Sequence, residues 1–252
     1  QNVSVDTPWC YPFVKNEGGG WDFQRFDPEY FQYVESRLKA LMNIGVEADL
    51  ILFHPYDGGV WGFDRMPLEV NLRYLKYITA RYSAFRNIWW SLANEFDGMK
   101  NIPAVDWDKF ARQVRAGDPY GHLLSIHGYT ATYYNYWLPE YSHASIQDQA
   151  PVSGPGRAST VMNIYKKPVI FDEVCYEGNM SSRWGCLSGE EELFRMYNGL
   201  MCGTYVTHAE CLNLDSSVSK NEEKTNFLAF GGEFHGECWK RIKFLRSILE
   251  DL

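Results

Sequence analysis

No stretch of this sequence stays apolar for the roughly 20 residues a membrane-spanning helix needs. The N-terminus also lacks the basic-then-apolar layout of a secretory signal. Both absences lead to the expectation of a soluble chain with no membrane partner, cytoplasmic rather than secreted. Basic residues are in deficit: 24 Lys and Arg stand against 32 Asp and Glu, a formal charge of -8. Such a chain repels phosphate backbones, so no nucleic-acid partner is expected, and a neutral or polyhydroxylated ligand fits better. Cysteine is scarce. The six residues Cys10, Cys175, Cys186, Cys202, Cys211 and Cys238 are too few for a disulfide scaffold, and none has CxxC or similar zinc spacing. They are expected as reduced, mostly buried thiols, with a Cys175–Cys186 bridge the one plausible exception. Neither HExxH nor an EF-hand pattern occurs, so neither metal nor cofactor is implied. Internal repeats, low-complexity tracts and linkers are missing too, and residues 1–252 read as one domain.

What is present is an apolar strand-like run followed by a helix-like period, over and over, the order of a parallel α/β fold. A first helix opens with Asp27 as N-cap and Pro28 in the first turn, carries Phe31, Val34, Leu38 and Leu41 on one face, and stops at Gly45. The strand VEADLILFH (46–54) follows, apolar enough for burial on both sides, and ends in the loop HPYDGG. Residues 67–85 read as a helix, and NIWWSLANEFD (87–97) as a strand closing in Asn94-Glu95. A helix is predicted over 106–115, then strands over 123–129, 144–149 and 168–174. A helix over 190–200, a last strand over 203–212 and a closing helix over 237–249 complete the pattern. That makes six good strands. A (β/α)8 barrel needs eight, and only NVSV near Asn2 and WCYPFV near Trp9 are further candidates, both short. The fold class is therefore read as α/β, a (β/α)8 TIM barrel lacking its first one or two strands.

In such barrels the reactive groups sit where strands end, because the loops there form the mouth. His54, Asn94, Glu95, His127, Gln147, Glu173, His208 and Glu210 all fall at or just past inferred strand ends, where a purely structural strand needs nothing ionisable. Glycosidic cleavage calls for one carboxylic acid to protonate the leaving oxygen and one carboxylate to attack the anomeric carbon. Glu95 and Glu173, with two strand candidates between theirs, would end the fourth and seventh strands of an eight-strand barrel. The indoles of Trp89 and Trp90 are candidate apolar walls that raise the pKa of an acid. Trp61, Tyr129 and Trp184 lie in loops that would ring the mouth, where a flat ring stacks on a sugar face.

WWSLANEFD and KPVIFDEVCYEGN resemble the acid/base and nucleophile segments of clan A glycoside hydrolases, the large retaining (β/α)8 group. A closer resemblance is to the apiosidase-like barrels, carried by WDFQRFDPEYF, GVEADLILFHPYD, FRNIWWSLANEFD, DPYGHLLSIHG, KPVIFDEVCYEG, GTYVTHAE and FGGEFHGECWKRIKFL, most of the chain. The resemblance implies Glu95 as general acid/base, Glu173 as nucleophile and Asn94 as partner of a sugar hydroxyl beside the scissile bond. It implies a retaining O-glycoside hydrolase acting on a poly- or oligosaccharide through a covalent glycosyl-enzyme, with no cofactor. The family's Arg at the end of the second barrel strand has no counterpart here, so the resemblance places the first two strands, an N-terminal segment, outside this chain and leaves accessory domains open.

Each residue also has a plain reading. Asp172 is adjacent to Glu173 and competes for the pocket-facing position, since neighbouring strand residues point to opposite faces. His54, His127, His208, Glu210 and Gln147 are as easily packing residues as sugar ligands, and the loop aromatics are as easily anchors. The rival to the enzyme is a non-catalytic carbohydrate-binding barrel or an inactive fragment of such an enzyme.

Overall fold

The computed structural model describes residues 8–129, 132–149, 155–214, 226–227 and 233–251. The strand candidate at Asn2 lies outside these residues. The chain divides into two compact units, Gln1–Ile126 with Leu138–Ser142, and His127–Trp137 with His143–Leu252.

The first unit opens with β1 (Phe13–Lys15) and β2 (Trp21–Phe26), paired antiparallel. The segment WCYPFV thus supplies a hairpin strand rather than a parallel barrel strand. Its partner WDFQRF, not recognised as a strand from sequence, packs Phe23 and Phe26 against Phe13 with ring centroids 5.2 and 5.1 Å apart. Helix α1 (Pro28–Asn43) begins as expected: the Asp27 side chain accepts the Glu29 N–H, and Pro28 sits where a missing N–H costs nothing. Phe31 and Leu38 are its buried residues.

A parallel sheet follows in the order β3 (Ala48–Phe53), β4 (Ile88–Ala93), β5 (Leu124–Ser125), with α2 (Leu68–Tyr82) and α3 (Ala104–Gly117) as the crossovers. Burial on both sides holds for β4, where five of six residues are buried. It fails for the first four residues of β3, an edge strand whose Ile51 is 53% exposed, because the described residues pair it on one side only. The predicted strand over 123–129 shrinks to two residues.

The second unit holds a parallel sheet of β6 (Ala144–Gln147), β7 (Val169–Glu173) and β9 (Tyr205–Val206). A smaller sheet joins β8 (Glu177–Gly178), β10 (Glu210–Leu212) and β11 (Asn226–Phe227). The helices are α4 (Pro155–Tyr165), α5 (Gly189–Met201) and α6 (Trp239–Glu250). Helix α4 was not recognised from the sequence. The predicted strand over 203–212 is broken into β9 and β10, which belong to different sheets. The break is local: the Thr207 N–H still donates to Phe171 of β7 at 3.1 Å while its hydroxyl turns onto the Asp172 carbonyl at 2.5 Å, and two residues on, the Ala209 carbonyl accepts the Glu177 N–H of β8 at 3.1 Å while the Ala209 N–H is taken by Glu192. The fold is α/β as expected, but among the described residues the strands form four separate sheets and no closed barrel. All six cysteines are free, including Cys175 and Cys186; only Cys175 and Cys238 are buried and Cys186 is exposed. No helix among the described residues is long and apolar enough to cross a membrane.

Candidate active site

In the first unit the site is built at the end of β4. Asn94 still belongs to the ladder, its N–H donating to the Phe53 carbonyl at 3.0 Å. The next residue, Glu95, leaves it abruptly with φ +49° and ψ +54°, a left-handed conformation that L side chains avoid. The chain then turns tightly, Gly98 N–H onto the Glu95 carbonyl at 2.8 Å. The Glu95 carboxylate is 7% exposed and accepts the Tyr56 hydroxyl at 2.8 Å. The same phenol oxygen accepts the Asn94 amide, so one tyrosine joins the two residues singled out from sequence.

Tyr56 is held by the loop that sequence read as HPYDGG. Its N–H donates to His54 Nδ1 at 3.3 Å and its ring stacks on the imidazole at 5.6 Å. The loop then closes through Asp57, buried, whose carboxylate accepts the Gly59 N–H at 2.9 Å. Gly58 and Gly59 have φ of +57° and +78°, which is why this turn is spelled Gly-Gly. Trp61 does not join this group directly. It packs its ring on Tyr11 at 5.2 Å, and its carbonyl accepts the Trp21 indole N–H at 2.5 Å, which makes it an anchor of the aromatic cluster behind the hairpin. Trp89 and Trp90 are not walls of a carboxyl pocket. Trp90 is fully buried with its indole donating to Asp118 at 3.1 Å, and Trp89 donates to Glu47 at 2.5 Å. Trp90 and Glu95 are five positions apart along the chain, about 16 Å at the usual strand rise.

In the second unit β7 ends in Asp172 and Glu173, and alternation alone does not choose between them. A register shift between Ile146 and Gln147 of β6 lets both carboxylates reach the buried His127. Its Nε2 lies 3.5 Å from Glu173 Oε1 and its Nδ1 3.9 Å from Asp172 Oδ2. Gln147 closes the group, with its carbonyl oxygen 3.1 Å from His127 Nε2 and its amide N–H donating to Glu173 at 3.4 Å. Two residues not found from sequence complete it. The Tyr176 hydroxyl donates to Glu173 Oε2, and the Ser145 hydroxyl to Asp172. Asp172 is thus held by the Ser145 hydroxyl, while Glu173 accepts from Tyr176 and Gln147 with the His127 imidazole 3.5 Å away, the environment of an oriented carboxylate. Trp184 flanks Tyr176, ring centroids 5.9 Å apart, and its carbonyl accepts the Tyr176 N–H at 2.7 Å. Tyr129 is 40% exposed in the loop after β5.

His208 and Glu210 stand elsewhere, in a second polar cluster with Glu177, Glu192 and Cys238. Its carboxylates bolt the loop before α6 to the smaller sheet: Glu177 accepts the N–H groups of Glu237 and Cys238 at 2.7 and 2.8 Å, and Glu210 those of His235 and Gly236 at 2.8 and 3.0 Å. Glu192, fully buried, takes the Ala209 and Glu177 N–H groups, both at 3.1 Å. Burial, partly offset by those two hydrogen bonds and reinforced by the neighbouring carboxylates, pushes its pKa up to about 8. His208 is held below the ordinary imidazole value, chiefly by burial. A Cβ on Gly236 would lie 2.4 Å from Glu177 Oε2, so only glycine lets the loop backbone come this close.

Residues 4–202 match the family described as apiosidase-like, catalytic domain. Among solved structures, a candidate glycoside hydrolase from Bacteroides vulgatus ATCC 8482 is 50% identical over 100% of this chain and 50% of its own, with a TM-score of 0.88. A glycoside hydrolase family 5 protein of the same organism is similar at a TM-score of 0.58 and 17% identity, over 78% of this chain and 49% of its own. A further structure named glycoside hydrolase reaches 0.69 at 14% identity, over 95% and 61%; at these identities the last two speak for the fold alone. The chain spans about half the length of the first two of these proteins. No curated protein matches it.

Proposed function

The chain belongs to the apiosidase-like catalytic-domain family, and from that membership we propose that it is a retaining O-glycoside hydrolase of clan A type, acting as one (β/α)8-type catalytic domain on a poly- or oligosaccharide. Glu173 attacks the anomeric carbon while Glu95 protonates the departing glycosidic oxygen. Glu95 then takes a proton from water, whose oxygen displaces Glu173 and releases the sugar with its original anomeric configuration. Two carboxyl groups suffice for both steps, so the reaction needs no cofactor.

The observation that carries this reading is the constellation around Glu173, a carboxylate at the end of a buried parallel strand with Tyr176, Gln147 and His127 aimed at its two oxygens. Glu95 supports it independently. A non-glycine residue held at φ +49° costs of order 1–3 kcal/mol, a strain that collects at functional positions. Asn94, tied to Glu95 through Tyr56, is then the partner of a sugar hydroxyl beside the scissile bond, and Trp184 a stacking surface.

The test is hydrolysis of a panel of aryl glycosides. Activity should fall by more than about 10^3-fold in Glu173→Ala. Added azide should restore turnover in Glu173→Ala as a glycosyl azide of inverted configuration, and in Glu95→Ala as one of retained configuration. Folded wild-type protein that binds oligosaccharide without hydrolysing any glycoside would turn the reading into that of a carbohydrate-binding module.

A further inference from the structure

We propose that the polar cluster of the second unit is a structural site for one divalent transition-metal ion of the zinc kind, bound by His208 Nε2 and by carboxylate oxygens of Glu177 and Glu210, with Glu192 beside it. The donor atoms of Glu177, His208 and Glu210 lie within 4.8 Å of one another, and so do those of Glu192, His208 and Cys238. Glu177, Glu192 and Glu210 are 6%, 0% and 1% exposed, so three carboxylates share one desolvated space. Coulomb repulsion there is strong, and a bound proton or a bound cation must relieve it. Among the described residues no Lys or Arg forms an ion pair with any of the three.

Hydrogen bonding accounts for most of the oxygens, through the backbone N–H groups of residues 177, 209 and 235–238, but two atoms stand apart. His208 Nε2 and Glu210 Oε1 are buried and have no hydrogen-bond partner among the described residues. They face each other at 3.7 Å, and Glu192 Oε2 lies 3.6 Å from the same nitrogen. These gaps are too long for hydrogen bonds. They approach the ~3.3 Å between neighbouring ligands of a tetrahedral ion with bonds of about 2.0–2.1 Å. A carboxylate oxygen that accepts one N–H keeps a lone pair for a metal, so the backbone contacts and coordination are compatible. The backbone contacts also act as the outer shell that aims the ligands. Cys238 is the poorer ligand, because its thiol packs at 3.9 Å on the Met196 sulfur.

The ion would tie together β8, the start of β10 and, through Glu177 and Glu210, the loop that leads into α6. None of these ligands touches Glu173, so the site is independent of the glycosidase reading, and its readout is stability rather than turnover. Tag-free protein stripped with a chelator is titrated with Zn2+ and followed by thermal unfolding and calorimetry. One equivalent should bind, and Tm should rise by about 5–10 °C at a hundredfold excess over the dissociation constant. X-ray absorption of the zinc-loaded wild type should show one imidazole nitrogen with oxygens and no sulfur, a result that needs no variant to fold. Binding should weaken at least ~10-fold in His208→Ala and in Glu210→Gln. No binding by the wild type, a sulfur ligand, or undiminished binding in a folded His208→Ala protein would overturn the proposal.

Discussion

Tyr176 and Tyr56 each place a phenol on one of the two glutamates, and neither was legible in the sequence. Both lie in loops a few residues past a strand end, where no periodicity marks them. Asn94, Glu95, His127, Gln147 and Glu173 were legible because an ionisable or amide group that closes a buried strand has no structural need to be there. Removing the phenol that donates to a carboxylate costs about 1.5–3 kcal/mol when the carboxylate is the reacting group, so Tyr176→Phe is expected to lower kcat ~10–100-fold with little change in KM. Steady-state kinetics on the best aryl glycoside checks this, and an unchanged kcat would remove Tyr176 from the machinery. Glu95 offers a different test. Its left-handed backbone costs about 1–2 kcal/mol that glycine does not pay, so Glu95→Gly should keep or raise Tm while abolishing hydrolysis. A Tm loss of several degrees would show that the Tyr56 contact, not the chemistry, explains the conformation.

Among the elements, β4 is fixed at its start by Trp90, whose indole donates to Asp118 where α3 ends. Asp118 also accepts the N–H groups of Tyr120 and His122 at 3.2 and 2.7 Å and lies 2.9 Å from His122 Nδ1. Burial pushes its pKa up, but the hydrogen bonds from His122 and Trp90 outweigh it and hold the carboxyl below the usual range. A depressed folded-state pKa means stability that is present above the unfolded value, near pH 4, and lost as pH falls below it through the folded value. Asp118→Asn should therefore be less stable than wild type at pH 7, with the gap closing towards pH 3 in denaturant melts. At the other polar cluster, Gly236→Ala puts a methyl within 2.4 Å of Glu177 Oε2 and should cost about 1–3 kcal/mol, read as a fall in Tm. Elements with strong local signals were readable to within a few residues: α1 from Asp27 and Pro28, α2 from its leucines, β4 from its largely apolar run. The shortened β5 and the helix α4 were not, nor was the split of the 203–212 run into β9 and β10, which is set by contacts with distant residues, such as Thr207 with Asp172, rather than by the local pattern.

At the scale of the whole molecule the excess of acidic residues, a net charge of -8, opposes polyanions and leaves neutral glycosides unaffected. Turnover of a neutral aryl glycoside should change less than about twofold between low and physiological ionic strength, because no long-range steering is at work. A steep salt dependence in a kinetic titration would instead point to a charged substrate. Composition, charge and the order of strand-like and helix-like runs by themselves determined an α/β chain with polar groups at strand ends, because burial and periodicity are properties of a chain's own residues. Which carboxylate is cradled by His127 and Gln147, that His208 and Glu210 share a cluster with Glu177 and Glu192, and that Trp90 serves Asp118 rather than a catalytic acid were decided only by the tertiary structure. Those outcomes depend on register, on a bulge and on a left-handed turn, each fixed by residues far apart in the chain that no local pattern connects.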